Sequence, residues 1–218
     1  ERLSIEEEAY YEDCKKYYRV VGKPLIAISS DNNIELSSSR QIKFGHTYWS
    51  GELNDGKDRG SKPYYCPVGW KIYSFYITKT PQDSYQKFKG WCICYHGTKF
   101  QYGLAILLLS GLKLANQAAH GAGVYFSPSI NYACHPRYSD VQQIPSEYQT
   151  DFSKSGRYLQ FVLECRVHPD NIKKIANKTL SANSTTGDPN INNSVIEWVV
   201  DHGGKQIVNF EDPGSPIV

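Results

Sequence analysis

The sequence predicts a single α+β domain built on a mostly antiparallel sheet. Strand-like runs rich in β-branched and aromatic residues recur along it: WKIYSFYIT at 70–78, YLQFVLECRV at 158–167 and VIEWVV at 195–200. Helical patterning is confined to short segments. No internal repeat and no linker-like stretch interrupts the 218 residues, a length that suits one large domain.

Residues 3–19 have the pattern of an amphipathic helix. Glu6, Glu7 and Glu8 come early and Lys15 and Lys16 late, the order the helix dipole favours. Val20-Val21 and the segment from Pro24 to Ser29 read as extended, and Ser30 to Arg40 as a polar loop. Lys43 to Trp49 reads as a strand, and residues 50–63, SGELNDGKDRGSKP, have loop composition throughout. After the strand at 70–78 and a turn at Thr80-Pro81 comes the densest stretch of the chain, residues 91–133.

There, Trp91 to Tyr95 reads as a buried strand that His96-Gly97-Thr98 interrupts. Thr98 with Gln101 has the spacing of a capping box, and Tyr102, Ala105, Ile106 and Leu109 give the helix one buried face. Ser110-Gly111 ends it, glycine taking the left-handed conformation cheaply. Val124-Tyr125-Phe126 reads as a second strand, and Ser127-Pro128 as the cap and first position of another helix. Residues 135–157 read as a polar surface loop, 158–167 as a strand ended by Pro169, and 176–194 as a second long polar loop. Val195 to Val200 and Lys205 to Phe210 complete the strands.

Composition narrows the class. Hydrophobic content of 40%, charged content of 21% and a net charge of +2 describe an ordinary globular chain that advertises neither a nucleic-acid nor a membrane partner. The six cysteines are scattered without a Cys-x-x-Cys pair, so reduced buried thiols and an intracellular home, cytoplasmic or nuclear, are expected rather than a disulfide framework or zinc site. A chain that begins at Glu1 and contains no methionine reads as an excised domain or processed product, which keeps a secreted effector open.

Three residues stand out chemically. His96 and Tyr125 fall at strand positions flanked by glycines, where a ligand can approach the backbone closely. Glu197 is the only charge within an apolar strand. A carboxylate there costs several kcal/mol to bury unless paired or hydrogen-bonded, and apolar neighbours on both sides point it inward.

YHGT at 95–98, GAGVYFSPSINYA at 121–133 and IEWVV at 196–200 resemble, in order, the three motifs of the ADP-ribosyltransferases of the poly(ADP-ribose) polymerase type. The resemblance spans residues 91–210, the NAD-binding catalytic core; residues 1–90 would be an N-terminal extension and first core strands. It implies a split antiparallel sheet with flanking helices. It also implies that His96 bonds the adenosine ribose of NAD, the Gly97 backbone holds the nicotinamide amide and Tyr125 lines the nicotinamide pocket. Glu197 would bond the 2′-hydroxyl of the nicotinamide ribose. Thr98 and Phe126 belong to the same motifs, with Ser127 or Ser129 as amide ligand and Tyr132 as stacking partner.

Tyr132 follows Tyr125 sooner than in the family, and the segment from Leu114 to Gly121 is short, implying an open donor site. The implied activity is transfer of ADP-ribose from NAD, a substrate, without a metal, to a protein acceptor, a single unit at a time. Ubiquitin or a ubiquitin-pathway protein is one candidate acceptor. Two alternatives use the same fold: a non-catalytic module that binds ADP-ribose-like ligands or a protein, and an RNA 2′-phosphotransferase, for which Arg137, Arg157 and Arg166 are available.

Overall fold

The computed structural model describes residues 42–48, 52–68, 70–75, 86–109, 111–114, 118–143, 158–180, 187–205, 207–209 and 214–217. The helix expected over 3–19, the extended segments and loop over 20–40, and the turn at Thr80-Pro81 lie outside them. Every strand pairing among the described residues is antiparallel, and helices are few, so the chain is α+β.

Strand β1 (Ile42–Tyr48) pairs with β4 (Lys71–Phe75), where strands were expected. Between them the expected loop is instead a hairpin of β2 (Asn54–Arg59) and β3 (Lys62–Tyr65). Gly60 and Ser61 turn it with φ of 61° and 59°, the positive pair that a two-residue type I′ turn requires. A Cβ on Gly60 would lie 2.6 Å from Cys92 Sγ, so the tip sits against the start of β5 (Cys92–Gly97). Polar loop composition masked a structure that turn geometry specifies.

β5 is buried on both faces, as the apolar run predicts. Cys92 and Cys94 join Phe126, Cys165, Trp198 and Val200 in one cluster. Ile93 and Tyr95 join Tyr64, Cys66, Ile130 and Ala133 in another. The strand runs through His96 and Gly97 rather than stopping before them, because β10 (Val162–Val167) pairs along its whole length.

The helix that follows, α1 (Phe100–Leu109), starts later than the capping box suggests. Its first amide, Phe100 N, donates to Asp140 Oδ1 at 2.6 Å, a cap from a distant segment. Tyr102, expected on the buried face, is 59% exposed. Phe161 decides this: it packs edge-on to Phe100, and a Cβ on Gly103 would lie 1.8 Å from its ring, so the first turn rests on Phe100 and Gly103, while Ile106 of the expected stripe is buried. Gly111 does not close the helix in the left-handed region but opens β6 (Gly111–Lys113).

β7 (Val124–Phe126) lies where expected. The next helix, α2 (Ile130–Ala133), is capped by Ser129, whose hydroxyl accepts from Tyr132 N, not by Ser127. Ser127 is held instead in a bridge to Tyr95. The expected loop at 135–157 contains buried His135 and Ser139, 1% and 0% exposed, and a strand β8 (Gln142–Gln143) paired with β9 (Tyr158–Leu159). The strand expected over 158–167 is thus β9 and β10, broken at buried Gln160, whose amide donates to the Cys134 and Ser139 carbonyls. A strand not expected, β11 (Ile172–Ala176), borders β12 (Glu197–Val200), which borders β7. β13 (Ile207–Asn209) pairs with β6. Tyr95 and Ser127 exchange backbone hydrogen bonds of 2.8 and 2.9 Å. That single bridge aligns the strands β10-β5-β7-β12-β11.

Candidate active site

Glu197 is 3% exposed at the head of β12. Oε1 accepts from the Tyr132 hydroxyl at 2.5 Å, the Thr179 hydroxyl at 2.5 Å, the Thr179 amide at 3.0 Å and the Tyr138 hydroxyl at 3.3 Å. A hydroxyl has one proton to give. With the Tyr132 and Thr179 protons on Glu197, the Tyr138 proton has its shortest acceptor in Thr179 Oγ1 at 2.8 Å. Burial pushes the Tyr132 and Tyr138 phenols above their ordinary range, so both remain donors at neutral pH. The expected inward carboxylate is there, compensated by two hydroxyls and the Thr179 amide.

Tyr132 is fixed from below. Ser129 Oγ caps α2 and donates to Asp188 Oδ2 at 2.5 Å, and Asp188 also accepts from Asn131 and the Asn190 amide. The Tyr132 ring is 2% exposed; a Cβ on Gly187 would lie 2.7 Å from it. Ser127 Oγ accepts from Ser129 N at 3.0 Å. Both serines are therefore engaged and buried, and the Phe126 ring lies in the core.

The second carboxylate oxygen, Oε2, has no hydrogen bond among the described residues. Its nearest charge-capable neighbour is His120 Nε2 at 3.4 Å. The His120 ring lies at 19° to the Tyr125 ring with centroids 6.3 Å apart. The Tyr125 hydroxyl accepts from His120 N at 2.8 Å and donates to Gly121 O at 2.9 Å. Burial raises this phenol too, so it keeps the proton it donates. Gly121 makes the turn with φ of 99°. Gly123 then lets β7 close on β12, where a Cβ would meet Val199 Cγ1 at 2.5 Å.

His96 Nδ1 lies 2.8 Å from the Tyr125 carbonyl. A carbonyl only accepts, so Nδ1 carries the proton, and Nε2 of the neutral ring keeps a lone pair. Burial lowers the imidazole below its ordinary value, which favours this neutral form. Gly97 is required by packing: a Cβ would lie 1.9 Å from the Ala133 carbonyl oxygen. Thr98 is 8% exposed.

The pairing register places these groups relative to one another. Tyr95 faces Ser127, and the β7–β12 register, continued by one residue, sets Ser127 opposite Glu197. Strand neighbours in one row share a face. His96, with Phe126 at 5.5 Å between ring centroids, belongs to the next row. Tyr125 thus joins the site to both partners, to His96 by its carbonyl and to the Glu197 cluster by its ring, while His96 and Glu197 meet only through β7.

Tyr138, Thr179, His120 and Asp188 were missed by sequence reasoning. The first two lie in stretches read as loops, with no local signal. His120 had one, its place beside Gly121 in front of β7. Among the described residues no three or more His, Cys, Asp or Glu side chains converge on a metal position, and no helix is long and apolar enough to cross a membrane. No family model matches the chain, nor does any curated protein or solved structure.

Proposed function

We propose that this chain is an NAD-dependent ADP-ribosyltransferase of the His-Tyr-Glu type, with that family's split antiparallel sheet, attaching single ADP-ribose units to a protein. The observation that carries the reading is Glu197, buried, anchored at Oε1 by the Tyr132 and Thr179 hydroxyls and the Thr179 amide, with its buried Oε2 left without a hydrogen bond among the described residues. Cleaving the nicotinamide glycosidic bond sends its electron pair to the ring nitrogen and leaves an oxocarbenium-like sugar. A fixed carboxylate oxygen stabilises that developing charge and holds a sugar hydroxyl. The acceptor's lone pair forms the new bond to the same carbon, and its proton is released. Tyr125 supplies an aromatic wall, and His96 Nε2 a lone pair for a ribose hydroxyl. Cys66, Cys92, Cys94, Cys134 and Cys165 are buried thiols outside any disulfide, which suits a cytoplasmic or nuclear setting.

The test is incubation of the purified chain with labelled NAD and cell lysate beside Glu197→Gln, which keeps volume and removes the charge. Discrete labelled proteins with the unmutated chain, and a loss of about 100-fold or more in the variant with NAD affinity little changed, are expected. Equal labelling by both would refute the role of Glu197. NAD binding without transfer would favour the non-catalytic module, and ubiquitin added alone tests that acceptor.

A further inference from the structure

Resting on the proposed transferase reading, we infer that residues 177–179 are a latch over Glu197, closed in this structure, that must lift before NAD reaches the carboxylate. Glu197 is 3% exposed, and its Oε2 is buried without a hydrogen bond among the described residues. Oε1 already carries the Tyr132 hydroxyl and both Thr179 donors. A sugar hydroxyl therefore reaches neither oxygen until something covering them moves. Buried polar atoms are ordinarily partnered, so the closed arrangement leaves Oε2 badly served, and opening relieves it.

The cover is short, and each of its residues has a different hold. The β11–β12 ladder ends with Ala176 opposite Glu197, and the next three residues leave it. The Asn177 carbonyl lies 2.7 Å from His120 Nε2, in front of β7. The Lys178 amide donates to the Asn193 carbonyl at 2.9 Å. Thr179 gives its amide and its hydroxyl to Glu197 Oε1. Asn177 is exposed and the other two are half-buried, so this is surface chain laid over a buried carboxylate. Ala176 and Leu180, 5% and 6% exposed, anchor its two ends. The three residues between them can swing as a crank without unfolding the sheet.

Lifting the latch does not abandon the carboxylate. Tyr132 keeps its bond to Oε1. The Tyr138 hydroxyl has its shortest acceptor in Thr179 Oγ1 at 2.8 Å and lies 3.3 Å from Oε1. With Thr179 gone, its proton turns to Glu197. Glu197 thus has donors in both arrangements, as a two-state gate over a reacting group requires.

Two measurements on the full chain test this. Hydrogen exchange of the unmutated chain is expected to show the Lys178 and Thr179 amides exchanging at least about tenfold faster than those of β12, through a local opening that low urea leaves unaffected. Stopped-flow binding of NAD to Thr179→Ala, which loses the hydroxyl contact, is expected to show association about tenfold faster than for the unmutated chain, because the open form is more populated. Exchange as slow as in β12, or an association rate unchanged or lowered in Thr179→Ala, would overturn the proposal. Failure of both chains to bind NAD would count against the transferase reading itself, and the exchange rates would still decide whether the latch opens.

Discussion

On either side of β7, two polar residues are held in opposite ways. Glu197 is gripped by side chains from α2, from the turn behind it and from the segment after β11, with the His120 turn at its other oxygen. Among the described residues His96 has one hydrogen-bonded anchor, a backbone carbonyl, and an apolar neighbour in Phe126. A buried carboxylate needs many donors because its desolvation is costly. A neutral imidazole needs one, and keeps its other nitrogen for a ligand. Hence Glu197 is sensitive to side chains far away in sequence, and His96 to where the backbone of β5 and β7 lies.

The largest effect should come from the backbone on the His96 side. Gly97→Ala forces a Cβ into the Ala133 carbonyl, and urea unfolding should show about 3 kcal/mol of destabilisation. An unchanged midpoint would mean that β5 and α2 are not in this close contact.

On the Glu197 side Tyr132→Phe removes one donor while Thr179 and Tyr138 remain. A stability loss of about 2 kcal/mol is expected, with a fall in transfer beyond what unfolding explains. A loss limited to stability would make the hydroxyl network structural.

Smaller still, Ser129→Ala should cost about 1 kcal/mol through the lost α2 cap, and Tyr132 should loosen with it. Tyr132→Phe and Ser129→Ala should be non-additive, since both act through α2.

The gentlest probe is pH. Burial lowers the His96 imidazole in the fold, so on acidification the unfolded chain takes up this proton first. Stability should be level above the ordinary imidazole range and fall as pH drops through and below it. Comparing unfolding at about pH 8 and about pH 5 for the unmutated chain and His96→Gln isolates this residue from the other histidines. Equal slopes would place His96 in solvent.

Much of this arrangement was legible. Val124–Phe126 is the strand its composition announces, and Glu197 is buried as the apolar Ile196, Trp198 and Val199 imply. Val195, read into that strand, is 44% exposed in the short 3-10 turn before it, because the Asn192 side chain caps that turn and delays the strand. The β2–β3 hairpin was hidden by polar strands, whose pairing is decided by the Gly60-Ser61 turn rather than by alternation. Tyr138, Thr179 and His120 were hidden for a different reason. Each sits in an irregular segment where no periodicity marks the inward side.

By itself the sequence determined what depends on near neighbours: the α+β class, the strands with apolar runs, and the inward turn of one carboxylate between apolar residues. Only tertiary structure decided which donors reach that carboxylate. Its partners are separated from it by 18, 59 and 65 positions, and hydrogen bonds act over a few ångströms of space without regard to distance along the chain.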